Sequence, residues 1–183
     1  RIGSGRLAEA LGGRIWVDSE PGRGSTFHFT TQFGLDALHH DTTFNSQDLA
    51  GISVLVVDDN PVNRQVFVGT LTGAGATVNV ADCGESALAL LDPASGSKVY
   101  DLILLDACMP GIDGFTTGER ILALPHCARV PLIMLSSGGV KGDAQRCREI
   151  GFVAYLPKPI ARDELLQALA RVVHKQPAEQ GAQ

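Results

Sequence analysis

From Ile52 onward, five short apolar runs alternate with amphipathic stretches, and this alternation limits the possible folds more than any other feature of the chain. The runs are ISVLVV (Ile52–Val57), TVNVA (Thr77–Ala81), YDLILL (Tyr100–Leu105), VPLIML (Val130–Leu135) and VAYL (Val153–Leu156). The amphipathic stretches that follow them are Val62–Ala74, Glu85–Leu91, Phe115–Leu124, Gly142–Ile150 and Arg162–His174. Strand-sized runs in strict alternation with helix-sized ones predict a parallel sheet with helices on both faces, a doubly wound α/β domain. Three runs are apolar almost throughout, as strands covered on both faces are, whereas Thr77-Val78-Asn79-Val80 alternates like an edge strand.

The texture before Ile52 is different. Asp36–Ala50 (DALHHDTTFNSQDLA) is polar and lacks a sustained period, so it reads as a linker. Upstream, Arg14–Val17 and Ser25–Phe33 read as two strands joined by the turn-rich Glu20–Gly24, after a short helix over Arg6–Leu11 stopped by Gly12-Gly13. Some 35 residues of helix and hairpin cannot bury a core of their own. The expected domains are therefore 1–35, a small helix and hairpin; 36–50, a linker; 51–175, the α/β domain; and 176–183, a frayed tail. The opening RIGSG carries neither an initiator Met nor an apolar signal core, which leads us to expect an excised or processed fragment.

Charge and composition exclude several function classes. Fifteen basic against twenty acidic residues, a net charge of −5, with no basic cluster, argue against nucleic-acid binding through phosphate neutralisation. The apolar runs fall far short of the roughly 18 residues a membrane helix needs. Cys83, Cys108, Cys127 and Cys147 show no metal-binding spacing and read as reduced thiols, hence a cytoplasmic location.

What ends each run is the informative feature. ISVLVV ends in Asp58-Asp59, YDLILL in Asp106, VPLIML in Ser136-Ser137, and VAYL runs into Pro157-Lys158-Pro159. In a parallel sheet these carboxyl ends share one edge, where open α/β sheets bind ligands. Two carboxylates about 4 Å apart repel by ~4 kcal/mol at an effective dielectric of 20, so three of them call for a cation. Oxygen donors without His or Cys select Mg²⁺ or Mn²⁺, and Lys158 and Ser136 suit a phosphoryl group. The chemistry implied is phosphoryl transfer, with Asp106, alone at its strand end, as acceptor. Taken singly, Asp59 or Asp82 reads equally well as a helix N-cap.

These residues resemble those of the receiver domain of two-component response regulators, in the form fused to hybrid sensor histidine kinases. The resemblance rests on VLVVDDNPVNRQV (Val54–Val66), DLILLDACMPGIDGF (Asp101–Phe115), PLIMLSS (Pro131–Ser137) and the stretch from Arg146-Cys147 to Lys158-Pro159-Ile160. It implies a flavodoxin-like fold with strand order 2-1-3-4-5, a Mg²⁺ site and an Asp phosphorylated in a phosphorelay. By position, Asp106 corresponds to the phosphoacceptor, Asp59 to the direct Mg²⁺ ligand and Asp58 to its water-mediated companion. Cys108 would contribute its backbone carbonyl to the metal, Lys158 would pair with the phosphate beside a cis bond to Pro159, and Ser136 and Tyr155 would form the switch pair. Ser137 stands where a small Ala is frequent in the family, and Gly138-Gly139 is expected to loosen the entry into the next helix. The implied partners are a phosphorylated kinase dimerisation domain or a histidine phosphotransfer protein.

The first segment, Arg6–Phe33, resembles the last helix and hairpin of a histidine kinase ATP-binding domain. The Asn-containing Mg-ATP motif and the first glycine-rich motif of that domain are absent, so the resemblance implies a fragment that neither binds ATP nor autophosphorylates. Gly73-Ala74-Gly75-Ala76 follows a helix and precedes a strand, the reverse of a dinucleotide-binding turn, and Gly22–Thr26 lacks the P-loop Lys. His39-His40 reads as a solvated pair. Two rival functions stand beside phosphotransfer. A receiver-like scaffold would lack use for the full acidic set, and an aspartyl phosphatase would need a second Asp where Cys108 stands.

Overall fold

The computed structural model describes residues 8–32, 49–93, 99–138 and 142–174. Most of the expected linker, the start of the first helix, His39-His40, Gly139 and the tail after His174 lie outside them. The chain divides into two compact units, residues 1–42 and 43–183.

In the first unit, β1 (Arg14–Glu20) pairs antiparallel with β2 (Gly24–Thr30), and residues 8–10 form a helical turn. The hairpin turn takes positive φ at Gly22 and Gly24, as its glycines permit. Opposite residues share a face, so Ile15 and Phe29, with Val17 and Phe27, make one apolar surface. Phe27 and Phe29 are 71% and 70% exposed. On the other face Trp16 stacks on His28 at 5.0 Å, with the Arg14 guanidinium 4.9 Å from the indole.

The second unit is built on a five-stranded parallel sheet of β3 (Ser53–Val57), β4 (Thr77–Ala81), β5 (Leu102–Asp106), β6 (Leu132–Ser136) and β7 (Ala154–Pro157). The spatial order is β4-β3-β5-β6-β7, the expected 2-1-3-4-5 within this unit. Five helices connect and cover it: α1 (Pro61–Gly73), α2 (Gly84–Leu90), α3 (Gly114–Leu122), α4 (Asp143–Ile150) and α5 (Arg162–His174).

The period-two pattern of the strands divides the core into two layers. Leu55, Val57, Ile103, Leu105, Leu132 and Met134 face α2, α3 and α4, where they meet Ala87, Phe115, Ile121 and Cys147. Val54, Val56, Leu102, Leu104, Ile133 and Leu135 face α1 and α5, where they meet Phe67, Leu71, Leu165, Leu166 and Leu169. The central strand β5 is buried along its whole length, whereas β4 lies at the edge with Thr77 and Val80 exposed. Leu49, expected in the linker, is fully buried in the second layer, and its N–H donates to the Ala74 carbonyl at 3.2 Å.

The helix starts explain why the strand-end carboxylates are free for other work. α1 is capped by Asn60, whose side chain accepts the Val62 N–H at 2.9 Å, with Pro61 at the first helical position. α2 is capped by Cys83 in a reciprocal box with Ser86, and α3 by Asp113, which accepts the Thr116 N–H at 2.7 Å. The caps thus fall one residue beyond Asp59 and Asp82.

Candidate functional site

The carboxyl ends of β3, β5, β6 and β7 bring the expected residues to one edge. One carboxylate oxygen each from Asp58, Asp59 and Asp106 lies within 4.8 Å of the others. Asp58 is fully buried, Asp106 is 3% exposed, and Asp59 faces solvent. Such a cluster is repulsive unless a cation joins it.

The loop after β7 brings an ammonium to the carboxylates. Lys158 Nζ lies 2.6 Å from Asp58 Oδ2 and 3.0 Å from Asp106 Oδ1. The Lys158–Pro159 bond is cis. Asp58 is saturated with donors, because Oδ1 also accepts the Asn60 N–H at 2.9 Å and both oxygens accept Asn63 Nδ2 at 3.2 Å. Asp106 is not: Lys158 stands at ion-pair distance from Oδ1 but outside hydrogen-bond geometry, which leaves that buried oxygen without a donor. Burial pushes the Asp106 carboxyl above its ordinary pKa, Lys158 opposes this, and the nearby Asp58 reinforces it. The Cys108 backbone N–H acts on Asp106 in the same sense as Lys158. The Cys108 side chain is exposed.

An orphaned oxygen on a carboxylate, beside two more carboxylates, fits a hard divalent cation. Asp59 and Asp106 have oxygens to offer it, while those of Asp58 are engaged by protein donors.

Ser136, at the end of β6, is buried, donates its hydroxyl to the Gly138 carbonyl at 3.0 Å and accepts the Gly138 N–H at 3.4 Å. Tyr155, half-buried on β7, directs its hydroxyl to that same carbonyl at 3.5 Å. The two hydroxyls therefore converge on one acceptor. Ser137, by contrast, is exposed and lines a groove of about 410 Å³ with Asn63, Val66, Phe67, Lys158 and Ile160.

Sequence reasoning missed Asn63 and Arg64. Both stand in DDNPVNR, but their roles depend on the first turn of α1 carrying residues five and six positions on from Asp58 back over it. Arg64 Nη1 donates to the Asp58 carbonyl at 2.6 Å and to the Asp59 carbonyl at 2.9 Å.

Comparison with known proteins gives a consistent result. Residues 54–170 match the family model of the response regulator receiver domain. The chain is 36% identical over 177 residues to the sensor histidine kinase AruS of Pseudomonas aeruginosa, a match covering 96% of this chain and 17% of that protein. It is 34% identical to the aerobic respiration control sensor protein ArcB of Escherichia coli, over 86% of this chain and 20% of that protein. The chain thus spans about a fifth of the length of these relatives. Among solved structures, chemotaxis protein CheY4 of Vibrio cholerae matches at 31% identity and a TM-score of 0.60, covering 66% of this chain and 98% of that one. The receiver domain of a Pseudomonas aeruginosa sensor histidine kinase, which has a magnesium ion coordinated in its active site cleft, matches at 34% and 0.59, covering 68% and 99%. With acidic residues, a hydroxyl and a lysine gathered at the carboxyl edge of a 2-1-3-4-5 sheet, the chain belongs to the response regulator receiver domain family, the phosphoryl-accepting module of two-component signalling.

Proposed function

We propose that Asp106 accepts a phosphoryl group from a phosphohistidine within the phosphorelay of a hybrid sensor histidine kinase. The observation that carries this reading is the buried, donor-free Oδ1 of Asp106, set between Lys158 and two further carboxylates. An acceptor oxygen already tied into hydrogen bonds would have to break them before attack.

The chain's own residues divide the work. A carboxylate oxygen of Asp106 forms the new O–P bond as the N–P bond of the phosphohistidine breaks, the electron pair returning to the imidazole. Mg²⁺, or Mn²⁺ by the same oxygen chemistry, would be held by Asp59, Asp106 and the Cys108 carbonyl, with Asp58 acting through water, and when bound supplies the positive charge that admits a phosphoryl group here. Lys158, a compact ammonium, can exchange Asp58 for a phosphoryl oxygen. Ser136 can turn its hydroxyl from the Gly138 carbonyl to the phosphoryl group, leaving that carbonyl to Tyr155, a local charge event that biases a two-state element.

The donor partner is a phosphohistidine-bearing kinase domain or phosphotransfer protein. Val62 and Val66, 63% and 60% exposed on α1, stand one turn apart beside the groove that Lys158 lines and offer it an apolar docking surface. Residues 1–35 are read as the end of the kinase ATP-binding domain, supported by an AruS match that extends over 96% of the chain. Among the described residues no helix is long and apolar enough to cross a membrane. The four unpaired cysteines support a reducing, cytoplasmic location for this unit. A non-phosphorylated scaffold has no use for a buried carboxylate oxygen that accepts no hydrogen bond.

The test is labelling by acetyl phosphate and by a panel of phosphorylated histidine proteins. The native chain is expected to reach stoichiometric, Mg²⁺-dependent labelling and Asp106→Asn none. Stoichiometric labelling of Asp106→Asn would overturn the assignment.

A further inference from the structure

Asp58 carries no solvent exposure, yet a second element holds it at three separate atoms. Asn63 Nδ2 donates to Oδ1 and Oδ2, both at 3.2 Å, and Arg64 Nη1 donates to its backbone carbonyl at 2.6 Å. The same Arg64 nitrogen reaches the Asp59 carbonyl at 2.9 Å, so one guanidinium spans both peptide units of the acidic pair. Both residues lie in α1, whose start is fixed by the Asn60 cap and Pro61. The strand-end loop bearing the acids is thereby tied to a rigid helix and not left to its own torsions.

We propose that Asn63 and Arg64 are positioning residues that preset the Asp58–Asp59 pair for a small divalent cation. Asn63 fixes the plane of the Asp58 carboxylate through a neutral amide, and Arg64 fixes the backbone from which both carboxylates project. Lys158 cannot take this part, because its ammonium is shared with Asp106 and is needed for the incoming phosphoryl group. Outer-sphere donors of this kind typically govern metal affinity by 10- to 100-fold. Mg²⁺ demands near-ideal octahedral geometry, whereas Ca²⁺ accepts six to eight oxygens in loose arrangements. The effect of the two residues is therefore a preference for Mg²⁺ over Ca²⁺. The inference rests on the reading of this edge as a Mg²⁺ site.

Titration calorimetry of the full, unphosphorylated chain with MgCl₂ and separately with CaCl₂ tests it. For Asn63→Leu and Arg64→Met the Mg²⁺ Kd is expected to rise about tenfold relative to the Ca²⁺ Kd. The ratio is the informative quantity, because losing the Arg64 charge or some general stability moves both ions alike. Asn63→Ala, with less bulk beside the buried carboxylate, gives the same readout should Asn63→Leu fold poorly. A Mg²⁺/Ca²⁺ ratio within twofold of the native value in the variants overturns the inference and leaves the site reading intact. Failure of the native chain to bind Mg²⁺ overturns both.

Discussion

Gly114 sits at the start of α3, and a Cβ built there would stand 2.1 Å from the carbonyl oxygen of Asp106 and 2.9 Å from Ala107 Cα. Both are backbone atoms at the end of β5, so no rotamer change relieves the collision. Ordinary contact begins near 3.4 Å, and Gly114→Ala therefore forces α3 and the acceptor strand apart by about 1.3 Å. The strain also falls on the Gly114 N–H bond to the Ala107 carbonyl, now 3.0 Å. Overpacking of this kind costs about 1–3 kcal/mol, of which the helix preference of Ala over Gly returns at most ~1. At Gly69, in the interior of α1, the same added Cβ meets nothing within 4 Å, so Gly69→Ala should stabilise by ~0.4–1 kcal/mol. One chemical change thus has opposite signs at two helical sites. Urea unfolding followed by circular dichroism measures both, and Mg²⁺-dependent acetyl phosphate labelling reads the site. A displacement of this size at Asp106 is worth about 10²-fold in rate. The reasoning fails if Gly114→Ala keeps the native midpoint and labels within twofold of the native rate, or if Gly69→Ala loses as much stability as Gly114→Ala.

Two further outcomes follow from the carboxylates. Asp106 has a raised folded pKa, so its contribution to stability is lost as pH rises from about 4 through that raised value. Asp106→Asn should remove this loss and melt higher than the native chain at pH 7 without metal; an equal or lower melting temperature would count against the burial argument. Asp113 moves the other way, since burial alone would raise its pKa but the Thr116 side chain and amide, helped by the Arg146 charge, outweigh it. Asp113→Ala should cost about 0.5–2 kcal/mol at neutral pH, and the difference should shrink as pH falls through the depressed value; a pH-independent difference in denaturant titrations would refute the cap as its source.

The sheet was legible in the sequence because its signal is local. Each run is apolar on both faces or alternates, and each ends in a polar residue, so strand identity, burial and the shared edge all follow from short windows around Val57, Leu105 and Leu135. That Asp58, Asp106, Ser136 and Lys158 gather at one edge was legible for the same reason, since a parallel sheet turns strand ends into neighbours. Contacts made across elements were not. Leu49 looked like linker because its burial depends on the Ala74 carbonyl at the far end of α1. The meeting of Ser136 and Tyr155 at one carbonyl depends on where the chain after β6 folds back. Asn60 and not Asp59 became the helix cap, and no propensity scale separates two adjacent good caps when one is drawn to a neighbouring strand end.

The strand order has a consequence for biosynthesis. β3 is the first strand of its sheet to be made, yet both of its edges are filled by later ones: Ser53 pairs with Thr77, and Val54 with Leu102. A chain emerging at about 5–20 residues per second would expose SVLVV, unpaired on one edge, for seconds before β5 arrives. During that interval an apolar strand edge is open to any other extended chain. The nascent protein is thus most vulnerable when β3, α1 and β4 are complete and β5 is still inside the ribosome.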